Sequence, residues 1–332
     1  MLKPFCFPNL ITFKGNSDVK KADLNRNKTI TILGSSRSTE ALKPYETFIY
    51  DVSSELVRKG NTILTGNGKF GIMGAAYKAA KEIEKNRNQA IIMIPPYGDE
   101  DFENCVVIDK AKSEDERIIK FDYSSKIKLI NPGGAATLKE FTSFIERKYS
   151  RGKNLPSKLY LIGDKPFIGM REQIKTLEDH GYLGQTKAED LYSPVKTLDK
   201  VALVNDILRN QDNVFAEKID LLNKNSEKNA NITKHKNNYL IFPGGLKTLK
   251  RAVSLITAAQ YTKNNEKPNI FLVGKDFYAG LDKQYHDCSN MGLLGKKKPE
   301  DLYTLIDKNE IGFTDLTVPK NIYTASKINL GF

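Results

Sequence analysis

The chain has 332 residues and a mass of 37.4 kDa, with 39% apolar and 28% charged residues and a net charge of +12. That length suggests two domains, the mix argues against disorder as the main state, and no run approaches the roughly 18 apolar residues of a membrane-crossing helix. Only ten of the 52 basic residues are Arg, and the lysines are scattered, with weak concentrations at Lys296, Lys297 and Lys298 and around 224–236, so the charge reads as solvated lysine surface that would favour a small anion, not as a nucleic-acid footprint.

The first 20 residues lack the continuous apolar core of a secretory signal, so no cleaved leader is expected. After a polar lead-in (Gly15 to Lys28), Thr29-Ile-Thr-Ile-Leu-Gly34 reads as a buried strand ending in a turn, and Ser35, Ser36 and Ser38 follow. Tyr45 to Lys59 reads as a helix with Phe48, Val52 and Leu56 on one face and Gly60 as its stop signal. Asn61 to Thr65 is a second strand, after which Gly66-Asn-Gly-Lys-Phe-Gly-Ile-Met-Gly74 opens a helix through about Glu84. Ala90 to Ile94, stopped by Pro95 and Pro96, and Cys105 to Ile108 read as further strands. Ser113 to Tyr123 looks helical, and Lys126 to Ile130 is a strand. Pro132-Gly-Gly-Ala-Ala-Thr-Leu-Lys-Glu140 leads into a helix to about Tyr149, with a strand at Lys158 to Ile162 and a closing helix at Leu198 to Arg209. This alternation predicts an α/β fold, a doubly wound, Rossmann-like parallel sheet with helices on both faces.

An internal repeat follows. Ile130 to Tyr192 aligns without a gap to Ile241 to Tyr303, at an offset of 111 and with about 22 identities in 63 positions. The identities include Pro132/Pro243, Gly133/Gly244, Gly134/Gly245, Thr137/Thr248, Gly163/Gly274, Gly184/Gly295 and the run Glu189-Asp-Leu-Tyr192 against Glu300-Asp-Leu-Tyr303. The repeat covers only the back half of the first unit. Ser193 to Leu240 is too short for a second front half and contains no glycine to build another phosphate loop. The expected organisation is an extension at 1–28, a nucleotide-binding domain at 29–210, an Asn/Lys-rich linker at 211–237 and a degenerate half-repeat of the same fold at 238–332.

Cys6, Cys105 and Cys288 lie too far apart for a disulfide framework or a CxxC metal pair, and His180, His235 and His286 are as scattered, so no metal is expected and a reducing cytoplasm is the expected compartment. Gly66, Gly68 and Gly71 spell GxGxxG between a strand and a helix. Dinucleotide binding would want an acidic residue at the end of the next strand, and that strand ends in Ile94-Pro95-Pro96. The loop also follows the second strand, not the first. What survives is simpler: glycines let a phosphate approach N–H groups at a helix start. The Pro132-Gly-Gly turn sits in the same kind of place, and two such turns on one sheet edge suit a nucleotide-sized anion. Glu140, three residues after Thr137, is open to two readings: a capping carboxylate bonded back to the Thr137 N–H, or a carboxylate facing the ligand.

These motifs, in this order over about 29–209, resemble the LOG (Lonely Guy) family, also labelled lysine decarboxylase-like. Gly66 to Gly74 matches the family's GGGxxGLMG loop, Pro132 to Glu140 its PGGxGTxxE motif, Arg117 the Arg of its MxxRKxxM-like helix with Phe121 at the last position, and Gly34-Ser35-Ser36 its early Gly-Ser-Ser. Three positions depart: Ala136 replaces a glycine and would crowd a phosphate or resist a positive φ, Asn67 replaces the middle glycine of the first loop, and Ile118 replaces a Lys. The half-repeat resembles the family more faintly: Lys247 replaces its second motif glycine, and Arg251 stands where the carboxylate belongs. That copy is expected to be catalytically dead.

The resemblance implies a nucleoside 5′-monophosphate phosphoribohydrolase, acting on AMP-like or cytokinin riboside monophosphates without a cofactor. It implies Glu140 and Arg117 as catalytic residues. It also implies phosphate and ribose contacts from Gly133, Gly134, Ala135, Ala136 and Thr137, from Gly34, Ser35 and Ser36, and from Gly66, Gly68, Gly71 and Met73. The alternative is a nucleotide-binding pseudoenzyme of the same fold. The resemblance further implies a homodimer or, given the repeat, a fused pseudo-dimer, with no membrane or nucleic-acid partner. The decarboxylase label would need pyridoxal phosphate, and no sequence feature marks its lysine.

Overall fold

The computed structural model describes residues 11–12, 28–66, 68–83, 91–93, 106–108, 113–151, 157–212, 238–262 and 267–307. Asn67, Pro95, Pro96, the linker over 213–237 and most of the expected extension lie outside them. Two compact units are present. Met1–Glu140, Pro156–Lys165 and Tyr192–Val214 make the first, and Phe141–Leu155, Pro166–Leu191 and Phe215–Phe332 the second.

The first unit is built on one sheet. Its strands are β1 (Ile11–Thr12), β2 (Thr29–Leu33), β3 (Thr62–Thr65), β4 (Ile91–Met93), β5 (Val106–Ile108), β6 (Ile127–Ile130), β7 (Lys158–Ile162) and β8 (Ser193–Val195), in the spatial order β1-β5-β4-β3-β2-β6-β7-β8. All neighbours are parallel except β1, which pairs antiparallel with β5. The fully buried runs of β2 and β6 are what a sheet covered on both faces requires. Helix α1 (Lys43–Arg58) lays Phe48, Val52 and Leu56 onto Ile30, Ile32 and Ile63, together with Ile72, Ala76 and Ala80 of α2 (Gly71–Ile83) and Leu203, Val204 and Ile207 of α7 (Lys200–Asp212). Each such Val, Leu, Ile or Phe side chain, fully buried, contributes about 1.5–3 kcal/mol. Gln211, at the head of the expected linker, falls inside α7 and is buried, donating from Nε2 to Asn61 Oδ1 at 2.6 Å.

The topology fixes where a ligand can sit. From β2 the chain crosses to β3, β4 and β5 on one side, then returns to β6 on the other side of β2. The carboxyl edge of β2 and β6 is therefore the switch point of the sheet, where loops diverge and leave a crevice. Helices α3 (Glu114–Ser124) and α4 (Ala135–Arg151) flank β6 in sequence.

The second unit carries a separate parallel sheet in the order β11 (Thr304–Ile306), β10 (Asn269–Val273), β9 (Asn238–Ile241), with α8 (Leu246–Tyr261) and α9 (Lys275–Asn290). It also includes α5 (Ile168–Asp179) and the short α6 (Ala188–Leu191). The repeat is visible in the backbone: Gly163 and Gly274, equivalent positions at the ends of β7 and β10, both take positive φ, at 93° and 102°. A β-carbon is strained in that region, which explains the shared glycine. Among the described residues no helix is long and apolar enough to cross a membrane.

Candidate functional site

All fourteen residues singled out from sequence lie in the first unit, in or just after the carboxyl ends of β2, β3 and β6 or on α2, α3 and α4. Side-chain bonds hold the edge together: Asn131 donates from Nδ2 to Leu33 O at 3.1 Å and to Leu129 O at 3.3 Å, tying the end of β6 to the end of β2. The Ser35 N–H donates to Pro132 O at 3.0 Å, and the Ile72 N–H to Ser35 O at 2.9 Å, so the two glycine turns are joined through one short loop. Gly34 is compulsory here, because a β-carbon would come within 2.9 Å of Ile72 Cγ2 and 3.0 Å of Asn131 Cβ. Gly71, at φ 62°, starts α2 where a β-carbon would collide with the Ser35 and Arg37 carbonyl oxygens. The Ser35 hydroxyl closes this loop on Arg37, donating to its O and accepting from its N–H, both at 2.9 Å. Ser36 is exposed, and Gly68 lies against Ser36 and Met73.

Helix α4 begins at Ala135, directly after the Gly133-Gly134 turn, and Gly133 packs on the Thr137 side chain. Helix starts present N–H groups and partial positive charge. Proteins commonly offset this with acidic residues, as α3 does with Glu114, Asp115 and Glu116, whereas α2 and α4 carry none in their first turns. The start of α4 is thus electrostatically suited to an anion supplied from outside, whereas at the start of α2 the Ile72 and Met73 N–H groups already go to Ser35 O. Ala136 lies inside the first turn of α4, where the backbone is helical. The backbone therefore makes no demand there that alanine cannot meet.

Glu140 falls in the second turn of α4, and its carboxylate goes to Arg117, not back to a helix N–H: Arg117 Nη1 donates to Glu140 Oε1 at 3.3 Å. This geometry does not fit the capping reading. Glu140 is only 4% exposed, and burial pushes its pKa up from 4.5 to about 7, against the opposing pull of the Arg117 charge; Glu114 raises it further and Lys139 lowers it. Arg117 is fixed from three sides. Nη1 also reaches Glu114 Oε1 at 2.8 Å, the guanidinium lies 5.0 Å from the centre of the Phe121 ring, and a β-carbon on Gly66 would collide with Nη2. The Arg117 side chain thus runs from α3 to both the first glycine loop and Glu140. Ile118, where the family pattern has Lys, is buried at 2% exposure among apolar residues.

Two features escaped the sequence reading. Glu114, the second carboxylate on Arg117, sits three residues earlier on the same helix face, and that spacing is the signal that would have found it. Lys128 is buried in β6 with Nζ 3.1 Å from Asp122 Oδ1 and donating to Ser125 O at 2.9 Å, and no sequence pattern announces it. Among the described residues no group of His, Cys, Asp and Glu is arranged to hold a metal ion.

The family model described as "Possible lysine decarboxylase" matches residues 202–315. That match runs from α7 through the second copy and does not reach the better-preserved motifs of the first unit. No curated protein is significantly similar to the chain. Among solved structures, the molybdenum cofactor binding protein of the phototrophic bacterium Rippkaea orientalis is 17% identical, over 55% of this chain and 99% of that one, with a TM-score of 0.40. The Moco carrier protein of Chlamydomonas reinhardtii is 20% identical, over 55% and 98%, with a TM-score of 0.39. By the match to its sequence model, the segment 202–315 is similar to the LOG family, the family described as possible lysine decarboxylase.

Proposed function

We propose that the first unit hydrolyses the N-glycosidic bond of a nucleoside 5′-monophosphate, giving a free base and ribose 5-phosphate. The observation that carries this reading is Glu140: a buried carboxylate with a pKa near 7, braced by Arg117 and one turn beyond a helix start with no acidic residue of its own. The 5′-phosphate would rest on the amides of Gly133 to Thr137 and the Thr137 hydroxyl. Glycosidic cleavage develops positive charge on the ribose, and ionised Glu140 would stabilise it and orient the attacking water. Arg117, already shared between Glu114 and Glu140, would contribute charge near the ribose or the leaving base. Gly34, Ser36, Gly66, Gly68 and Met73 would wall the ribose side, with Ser35 and Gly71 shaping the loop that joins the two turns.

The decarboxylase description would call for pyridoxal phosphate on a lysine. The lysine the sheet buries, Lys128, gives its ammonium to Asp122 and Ser125 near the amino end of β6, and so does not fit that group. The test is base release from AMP and a panel of purine and pyrimidine monophosphates, for the wild type and Glu140→Gln. Release by the wild type that collapses in the variant supports the proposal. Binding of monophosphates with no release from either protein would instead favour a pseudoenzyme.

A further inference from the structure

The second unit contains a contact with its own internal symmetry. Helices α5 and α9 occupy equivalent positions in the two copies and pack on each other. Gly169 of α5 faces Gly280 of α9 so closely that a β-carbon at 169 would lie 2.5 Å from Gln284 N and Gly280 O, and one at 280 would lie 2.5 Å from Gln173 N and 2.7 Å from Gly169 O. The two glycines are equivalent by the 111-residue offset.

The hydrogen bonds obey the same rule. Gln173 of α5 accepts at Oε1 from Leu281 N at 3.0 Å and donates from Nε2 to Phe277 O at 2.9 Å. Gln284 of α9, the equivalent of Gln173, accepts at Oε1 from Met170 N at 3.0 Å and donates from Nε2 to Pro166 O at 2.8 Å. Each amide therefore bridges a carbonyl and the N–H four residues on in the opposite segment, and Pro166 and Met170 map onto Phe277 and Leu281. Both glutamines are buried, at 0% and 1% exposure. A contact in which i meets j and the equivalent of j meets the equivalent of i is the signature of a two-fold, self-complementary interface. Packing between unrelated helices has no reason to repeat donor for donor.

We infer that the half-repeat is a built-in partner: the α5–α9 contact is a two-fold subunit interface brought inside one chain, so the protein is a monomer in solution and pairs with no second copy through this face. The glycines and amides of both helices are consumed by each other, which leaves this self-complementary surface nothing to offer another chain.

Two measurements on the full chain test this. Sedimentation velocity over a hundredfold concentration range is expected to give a single species at the 37.4 kDa monomer mass. Gln173→Ala and Gln284→Ala are each expected to lower the thermal midpoint by about 5 °C, to a similar extent, because each removes two equivalent bonds across the contact and Gln284 adds only a 3.5 Å bond to Cys288 Sγ. The double variant should fall short of their sum, since each substitution loosens the contact the other depends on. Gly169→Ala and Gly280→Ala give a second matched pair should a glutamine variant fail to fold. A wild-type dimer would overturn the inference, whether or not a substitution in α5 dissociates it. So would a monomer in which the matched substitutions differ widely and add fully.

Discussion

The two Pro-Gly-Gly turns are a comparison made by the molecule itself. In each, the middle residue of the turn packs on a threonine, Gly133 on Thr137 and Gly244 on Thr248, and a helix starts at the equivalent position, Ala135 or Leu246. The local structure is the same, yet the surroundings differ. β6 has β2 beside it, with the glycine turns after β2 and β3 closing over the same edge; among the described residues β9 ends its sheet, with only β10 beside it. Six residues into its helix the first copy places Glu140, buried on Arg117, and the second places Arg251, exposed. On the proposed reading the turn supplies an anion cradle, while the switch point and the buried carboxylate supply what would make it a reaction site.

Breaking the first copy should show this most strongly. Glu140→Gln is expected to reduce base release from a monophosphate by about 10³-fold, the scale of a lost acid–base or charge-stabilising group. Gly66→Ala should come next. Its methyl would displace the Arg117 guanidinium, with a loss of about 10²-fold from mispositioning and a lowered thermal midpoint, because the buried Arg117–Glu140 pair is disturbed. Steady-state kinetics with melting curves separate the two effects.

Stability gives a smaller effect of known sign. The folded state holds the Glu140 proton more tightly than the unfolded chain does, so its favourable contribution is complete below about pH 4.5 and is lost as pH rises through about 7. Glu140→Gln cannot ionise. Its stability relative to wild type should therefore rise between those values, reaching about 3 kcal/mol at pH 8, as read by denaturant unfolding at several pH values. At Ala136, a return to glycine should lower stability by about 0.5 kcal/mol, since the position is ordinary helix. Arg251→Glu in the Glu140→Gln protein should restore nothing, since the second turn lacks the neighbouring strands.

Much of this was legible in the sequence because it rests on local signals. The Phe48, Val52 and Leu56 spacing gave α1, and Gly60, at φ 78°, ends it. The glycine turns could be placed because only glycine fits where Gly34 meets Ile72 and where Gly71 turns left-handed. What was not legible depends on partners distant in the chain. α5 went unread although Met170, Ile174 and Leu177 form a helical stripe, and its Gln173 means nothing until Gln284 lies opposite. β1 is two residues long and exists through its pairing with β5. Whether Glu140 capped its helix or faced a ligand turned on where α4 begins and on Arg117, 23 residues away in sequence.

The account stands or falls on the ionised carboxylate of Glu140. The most direct measurement is the pH dependence of kcat/KM for base release from a nucleoside monophosphate, in the wild type and in Glu140→Gln. The expected wild-type profile rises with a midpoint near pH 7, where burial sets the Glu140 ionisation, and the variant keeps a small, flat residual rate. A wild-type profile with no step near pH 7, or a variant that keeps both the rate and the step, would contradict it.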